Sequence, residues 1–213
     1  MESPLRAPDD PGFRLIETML WTPRAGIARR ARHMTRLARS AARFGIAPRG
    51  LDATLDRIGG EGPLRVRLTV DRHGGAHAEA HPFTPQSPDT VWTVAIAQTR
   101  LTPSDPWLGV KTTERVLYDA ARAQMPEGVD EWLFLNDRDE LCEGTITNLF
   151  VQASDTLLTP PLSCGVLPGI LREELLDSGR AREAVLTVPD LRAAPQAFVG
   201  NALRGLIRLR LSP

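Results

Sequence analysis

One side-chain primary amine stands alone in this chain: of its 26 basic residues, Lys111 is the single lysine and the rest are arginines. A guanidinium stays protonated and is a poor nucleophile, whereas a desolvated lysine can lose its proton and attack a carbonyl to form an imine. Lys111 is therefore the candidate for covalent or proton-transfer chemistry. The competing reading is an arginine-rich coding bias that spared one surface lysine. Three features follow it in order: Glu143 within CEGTITNLF, the segment LPGILRE (167–173) with its Pro-Gly turn into a helix, and the glycine-asparagine turn GNALRG (200–205). Ahead of it lies Arg36, in HMTRL.

Other reactive-looking groups are weaker. His73, His77 and His81 are spaced by four, which on a helix would suggest metal ligation, but Gly74, Gly75 and Pro82 break any helix there and no metal site is expected. Cys142, beside Glu143, reads as a packed thiol rather than a nucleophile. GGEGP lacks the strand-to-helix setting of a phosphate loop.

The elements that must carry these residues follow from periodicity. FRLIETMLW (13–21) reads as a strand, and residues 28–44 as a helix with an apolar stripe at Met34, Leu37, Ala38, Ala41 and Ala42. A short helix over 52–58, a strand beginning LRVRLTV (64–70) and turning at Gly74-Gly75, and a strand VWTVAIAQT (91–99) come next. A linker, LTPSDPW, suggests a boundary that divides the chain into 1–105 and 106–213. Beyond it, the pattern predicts a helix over 112–124 and strands EWLFLND and TNLFVQA flanking a charged turn as a hairpin would. It then predicts a short strand TLLTPPL, a helix over 170–177, a strand EAVLTVPD and a strand-like AFVGNALRGLIRLRL. Helices and strands are mixed in both halves, so the class is α+β.

Bulk properties bound the function. The formal net charge is zero and no aromatics interleave the arginines of residues 24–43, which argues against nucleic acid as a partner. No segment reads as a signal peptide or a membrane span, and the two cysteines form no disulfide or metal framework by spacing, so a cytoplasmic setting is expected.

EGTITNLFV, then a spaced LLTPP, then GVLPGILRE resembles the signature of the class IV (fold-type IV) pyridoxal-phosphate enzymes, and IETM and HMTRL resemble that family's early blocks. The family includes branched-chain and D-amino-acid aminotransferases and 4-amino-4-deoxychorismate lyase. The resemblance implies two α/β domains with the cofactor in the cleft between them, a smaller first domain shortened at its N-terminus, and a homodimer. It implies pyridoxal 5'-phosphate as cofactor and a small-molecule amine as substrate, with Lys111 carrying the imine and Glu143 pairing with the pyridine nitrogen. An anion there keeps that nitrogen protonated, which makes the ring an electron sink. Arg36 matches the phosphate-binding arginine; Ile170 and Leu171 match positions whose backbone amides hold phosphate at a helix start, where the first amides have no internal partner. Asn201 and Ala202 fall in the last cofactor-binding block.

Arg65 and Arg67, alternating on one strand face, match arginines that bind the substrate carboxylate; the alternative is an exposed strand face. This chain departs from the aminotransferase pattern at Leu171 and Ala202, where hydroxyl side chains are common, and at Val116, where branched-chain members carry a tyrosine. Arg115, four residues after the lysine, and NALRG resemble the lyase members and make Arg115 a substrate-binding candidate. The leading expectation is therefore a lyase that eliminates pyruvate from 4-amino-4-deoxychorismate to give 4-aminobenzoate. The alternatives are an aminotransferase for branched-chain or D-amino acids and a non-catalytic cofactor-binding relative.

Overall fold

The structure, a computed structural model, describes residues 5–212. By contacts the described residues divide into two compact units: one holds the chain up to Pro85 together with Val110–Glu114, and the other holds Gln86–Gly109 and the chain from Arg115 onward. The division at Pro85 differs from the sequence boundary at 105. LTPSDPW has a linker's composition, but the strand before it pairs within the second unit's sheet.

The first unit is an antiparallel sheet with helices. Strands β1 (Arg14–Thr22), β2 (Gly26–Ile27), β3 (Leu64–Asp71) and β4 (Ala76–Pro82) run in the order β2-β1-β3-β4. Leu15, Glu17 and Met19 stand opposite Val70, Leu68 and Val66 and share the buried face. Between β2 and β3 lie α1 (Arg30–Arg43) and α2 (Leu51–Leu55), tied by Arg30 to Asp52 and Asp56. The buried side of α1 is His33, Arg36, Leu37, Ser40 and Ala41, rotated from the predicted apolar stripe so that Ala38 is exposed. The helix turns two polar residues inward because Glu17, a carboxylate in the core of β1, requires partners there.

The predicted helix over 112–124 begins only at Val116. Lys111–Thr113 is instead extended along β1, with Leu15 opposite Thr112, Ile16 N donating to Lys111 O at 2.8 Å and Thr113 N to Arg14 O at 2.9 Å. Pairing with a strand distant in sequence overrides the local helical pattern.

The second unit contains β5 (Val91–Leu101), α3 (Val116–Ala123), β6 (Glu131–Asn136), β7 (Leu141–Gly144), β8 (Asn148–Ala153) and β9 (Thr156–Thr159). Then come α4 (Ile170–Asp177), β10 (Ala181–Glu183), α5 (Val188–Ala193), β11 (Ala197–Asn201) and β12 (Gly205–Leu211). The strand order is β10-β9-β8-β11-β12-β5-β6-β7, and β7 pairs back onto β8, so the sheet closes on itself from β8 round to β7. Leu133, Leu141, Leu149, Val199 and Ile207 belong to its buried core. β6 and β8 are therefore not hairpin partners; the short strand LCEG lies between them and pairs with both. EAVLTVPD is not one strand either. Thr187 and Asp190 form a reciprocal capping box that starts α5, which stops the extended run at Glu183.

No helix among the described residues is long and apolar enough to cross a membrane.

Candidate active site

In the first unit the polar core centres on Glu17. Its Oε1 accepts from Arg36 Nε at 2.9 Å, and Oε2 accepts from Arg36 Nη2 at 2.5 Å and from His33 Nδ1 at 2.7 Å. Glu17 and His33 are 1% exposed, so no solvent competes for these bonds. Burial pushes the Glu17 carboxyl up, but the Arg36 charge and the hydrogen bonds from His33 and Arg36 outweigh it and hold the group below its usual range. Two of Arg36's nitrogens are thus fixed as a fork on a carboxylate, and the side chain is buried.

The sheet register also sorts the other predicted cations. Because Leu15 and Thr112 stand opposite one another on the buried face, alternation puts Lys111 on the other face, which carries Ile16, Thr18, Arg65 and Arg67. Arg65 and Arg67 are exposed there, opposite His81 and Glu79 of β4. His77 and His81 each approach Glu79 at 3.7 Å.

In the second unit the hub is the turn that joins β7 to β8. Gly144 N donates to Thr147 O at 2.7 Å, and Glu143 stands opposite Asn148. The Glu143 carboxylate accepts the Tyr118 phenol on Oε1 at 2.8 Å, and Asn148 Nδ2 (3.2 Å) and Leu167 N (3.0 Å) on Oε2. Burial, then the Glu143 charge and the hydrogen bond to it, push the Tyr118 phenol far above its ordinary range, so it remains a donor at any working pH.

Arg115 does not point its donors into open solvent. Its Nη2 holds Thr145 O at 2.6 Å, and its guanidinium lies 5.1 Å from the Tyr118 ring centre. Asn201 likewise braces the turn, donating to Ile146 O at 3.1 Å while its Oδ1 accepts from Leu203 N and Arg204 N. Glu143, Arg115 and Asn201 are thus brought together around residues 143–147.

The start of α4 lies behind Glu143's partners. Gly169, the residue before the helix, is extended and no side chain caps the helix. A Cβ built on Gly169 would lie 1.8 Å from Asn148 Oδ1, so the amide of Asn148 occupies the space a side chain would need. Ile170 and Leu171 bury their side chains, which leaves their backbone amides as what these positions can offer a ligand. Ala202 is buried in the turn after β11. Cys142 and Cys164 are buried; burial pushes Cys142 strongly upward and takes Cys164 up to about 12, which suits packing and not nucleophilic attack.

Glu17, His33, Tyr118 and Asn148 belong to these networks and do not stand out as site residues in the sequence. Signals existed for two of them. Glu17 shares the period-two face of Leu15 and Met19, and Tyr118 is the only tyrosine in the chain.

The profile of the family described as amino-transferase class IV matches residues 14–211. The chain belongs to the class IV aminotransferase family. Members of this family are pyridoxal-phosphate-dependent enzymes, aminotransferases and lyases among them. A crystal structure from Mesorhizobium loti, provisionally named an amino-acid aminotransferase, is 45% identical with a TM-score of 0.88; the match covers 94% of this chain and 100% of that one. A Thermotoga maritima protein named as a probable branched-chain-amino-acid aminotransferase is 28% identical, over 84% of this chain and 70% of its own length. The aminodeoxychorismate lyase of Saccharomyces cerevisiae is 29% identical over 55% of this chain, a stretch that spans only 36% of the yeast protein. The class IV enzyme described here is therefore a lyase or an aminotransferase.

Proposed function

We propose that this class IV enzyme holds pyridoxal phosphate covalently through Lys111 and works as a 4-amino-4-deoxychorismate lyase, releasing pyruvate and leaving 4-aminobenzoate. The residues present fit the cofactor. Glu143 is an acceptor-only carboxylate held by three donors, which suits a protonated ring nitrogen. The uncapped start of α4 suits a phosphate. Lys111 is the one side chain able to supply a primary amine. Arg36, fixed by Glu17, adds positive charge for the phosphate.

When bound, the cofactor supplies an electron sink for the charge left by a broken C–H bond. Glu143 keeps the ring nitrogen protonated. Lys111 Nζ, freed as the substrate's amine takes its place, would take the proton from the amine-bearing ring carbon of the substrate. The C–O bond to the enolpyruvyl group then breaks, and a proton returned to that fragment completes pyruvate as the ring becomes aromatic. Arg65 and Arg67, on the Lys111 face of the first unit's sheet, bind substrate carboxylate. Arg115 and Asn201 serve the site by holding the turn that carries Glu143.

The observation that carries the lyase reading is the residue pattern after Lys111. Arg115 stands where lyase members have arginine. The position of the branched-chain tyrosine holds Val116, 79% exposed, and the phenol on Glu143 comes from Tyr118 instead. A second reading, amino-acid transfer, is favoured by the name of the 45% identical Mesorhizobium loti chain. In that case the amino group stays behind and a keto acid leaves.

Pyruvate assayed after adding 4-amino-4-deoxychorismate to cofactor-loaded enzyme, with no keto-acid acceptor present, separates the two. Stoichiometric pyruvate with continued turnover is expected. A single half-reaction with leucine or D-alanine, and no pyruvate from 4-amino-4-deoxychorismate, would replace the lyase by the transferase.

A further inference from the structure

We propose that Glu131 is a positioning residue for the reaction: a buried carboxylate that locks the 144–147 turn and through it sets the Glu143 carboxylate. This rests on the reading above in which Glu143 faces the cofactor ring.

Glu131 opens β6 and is 0% exposed. A lone carboxylate there is costly unless nearly every lone pair is matched, and here four of the matching donors come from one turn. Oε1 accepts from Thr145 N (3.1 Å), Thr145 Oγ1 (2.5 Å) and Trp132 N (3.1 Å). Oε2 accepts from Ile146 N (3.2 Å) and Thr147 Oγ1 (3.0 Å). Arg122 lies 3.6 Å from Oε1 and also donates to Thr145 Oγ1 at 2.7 Å, which fixes that hydroxyl's own hydrogen toward Glu131.

The contact is close as well as polar. A Cβ on Gly144 would lie 2.8 Å from Glu131 Cδ and 2.5 Å from Thr147 Oγ1, so the turn sits directly on the carboxylate. Two successive backbone amides, two hydroxyls and a glycine are thus spent on one side chain from a neighbouring strand. Arg115 and Asn201 take the carbonyls of the same turn. The residue before this turn is Glu143 and the residue after it is Asn148, which donates to Glu143. A hairpin end gripped on amides, carbonyls and hydroxyls has little freedom left, so the angle at which Glu143 presents its oxygens is set by Glu131.

Glu131→Gln tests this. The amide replaces one acceptor oxygen with a donor, and in either orientation that donor meets at least two donors of the turn. Full-length protein loaded with pyridoxal phosphate is compared as wild type, Glu131→Gln, Glu143→Gln and the double variant, with Thr147→Val as a milder cut at the same network. Cofactor absorbance against pH, cofactor dissociation constant, kcat and KM, and thermal melting are read in parallel. Displacing a catalytic group by a fraction of an ångström to an ångström is worth up to about 100-fold in rate.

The expected result for Glu131→Gln is a shifted pH profile of the cofactor band and kcat lowered about 10- to 100-fold with KM little changed. Thr147→Val shifts the same profile in the same direction by less, and the double variant is no worse in kcat than Glu143→Gln alone. An unchanged pH profile and kcat in Glu131→Gln and Thr147→Val would overturn the proposal. So would additive losses in the double variant, or losses that only follow a lowered melting temperature. Wild-type protein that takes up no cofactor at Lys111 would overturn the parent reading and this one together, whereas normal wild-type loading with a silent Glu131→Gln would overturn this one alone.

Discussion

The chain's single tyrosine, Tyr118, donates its phenol hydrogen to Oε1 of Glu143 across 2.8 Å. It reaches that carboxylate from α3, whose neighbouring Arg115 stacks on the ring and holds Thr145 O. A helix with no fully buried residue therefore touches the centre of the second unit's polar network through one aromatic side chain.

Tyr118→Phe keeps the ring and its edge contact with Phe134 but removes the donor to Glu143. A hydrogen bond to a charged group contributes about 1.5–3 kcal/mol, so a loss felt fully in the transition state lowers kcat about 10- to 100-fold. Steady-state kinetics on the cofactor-loaded variant checks this. A kcat equal to wild type would mean that the phenol only packs.

Gly169→Ala introduces one methyl at a position whose φ of −71° any residue tolerates, so its effect is steric alone. The methyl would lie 1.8 Å from Asn148 Oδ1 and must displace the side chain that donates to Glu143 and to Leu167 O. We expect a stability loss of about 1–3 kcal/mol and at least about tenfold weaker cofactor retention. Urea unfolding and a cofactor titration read the two effects separately.

Acid should loosen the first unit through Glu17. Its carboxyl is held below the ordinary 4.5, so the stabilisation is fully present above that value and is lost as pH falls through the lower folded value. Urea midpoints for wild type are expected to drop between neutral pH and about pH 3.5. Glu17→Gln should be less stable at neutral pH by about 3–5 kcal/mol, because Arg36 and His33 lose a buried partner. Its pH dependence over the same range should be flatter; equal slopes for the two proteins would mean that Glu17 is not the group that titrates.

Much of the fold was legible in the sequence because it rests on local periodicity. The run FRLIETMLW, the helix over Ile170–Asp177 after Pro168-Gly169, and the alternation in LRVRLTV all appear as elements. What could not be read depends on distant partners. Lys111–Thr113 is extended because β1 offers it hydrogen bonds, and LCEG is a strand because β6 and β8 flank it. The inward turn of His33 and Arg36 follows from a carboxylate on another element. Among the candidate residues, Lys111 and Glu143 stood out by type and spacing. The supports around the Glu143 turn, Tyr118, Glu131 and Asn148, are single polar residues inside otherwise ordinary segments, and only the folded chain aligns their donors and acceptors.

Lys111 as the cofactor's attachment point can be tested directly, because it is the single lysine of the chain. Full-length protein is mixed with pyridoxal phosphate, reduced with borohydride, digested and analysed by mass spectrometry, with Lys111→Ala treated in parallel. One cofactor-sized mass increment is expected on the peptide containing Lys111, and none in the variant apart from the terminal amine. Well-folded wild-type protein with no increment at Lys111 would contradict it.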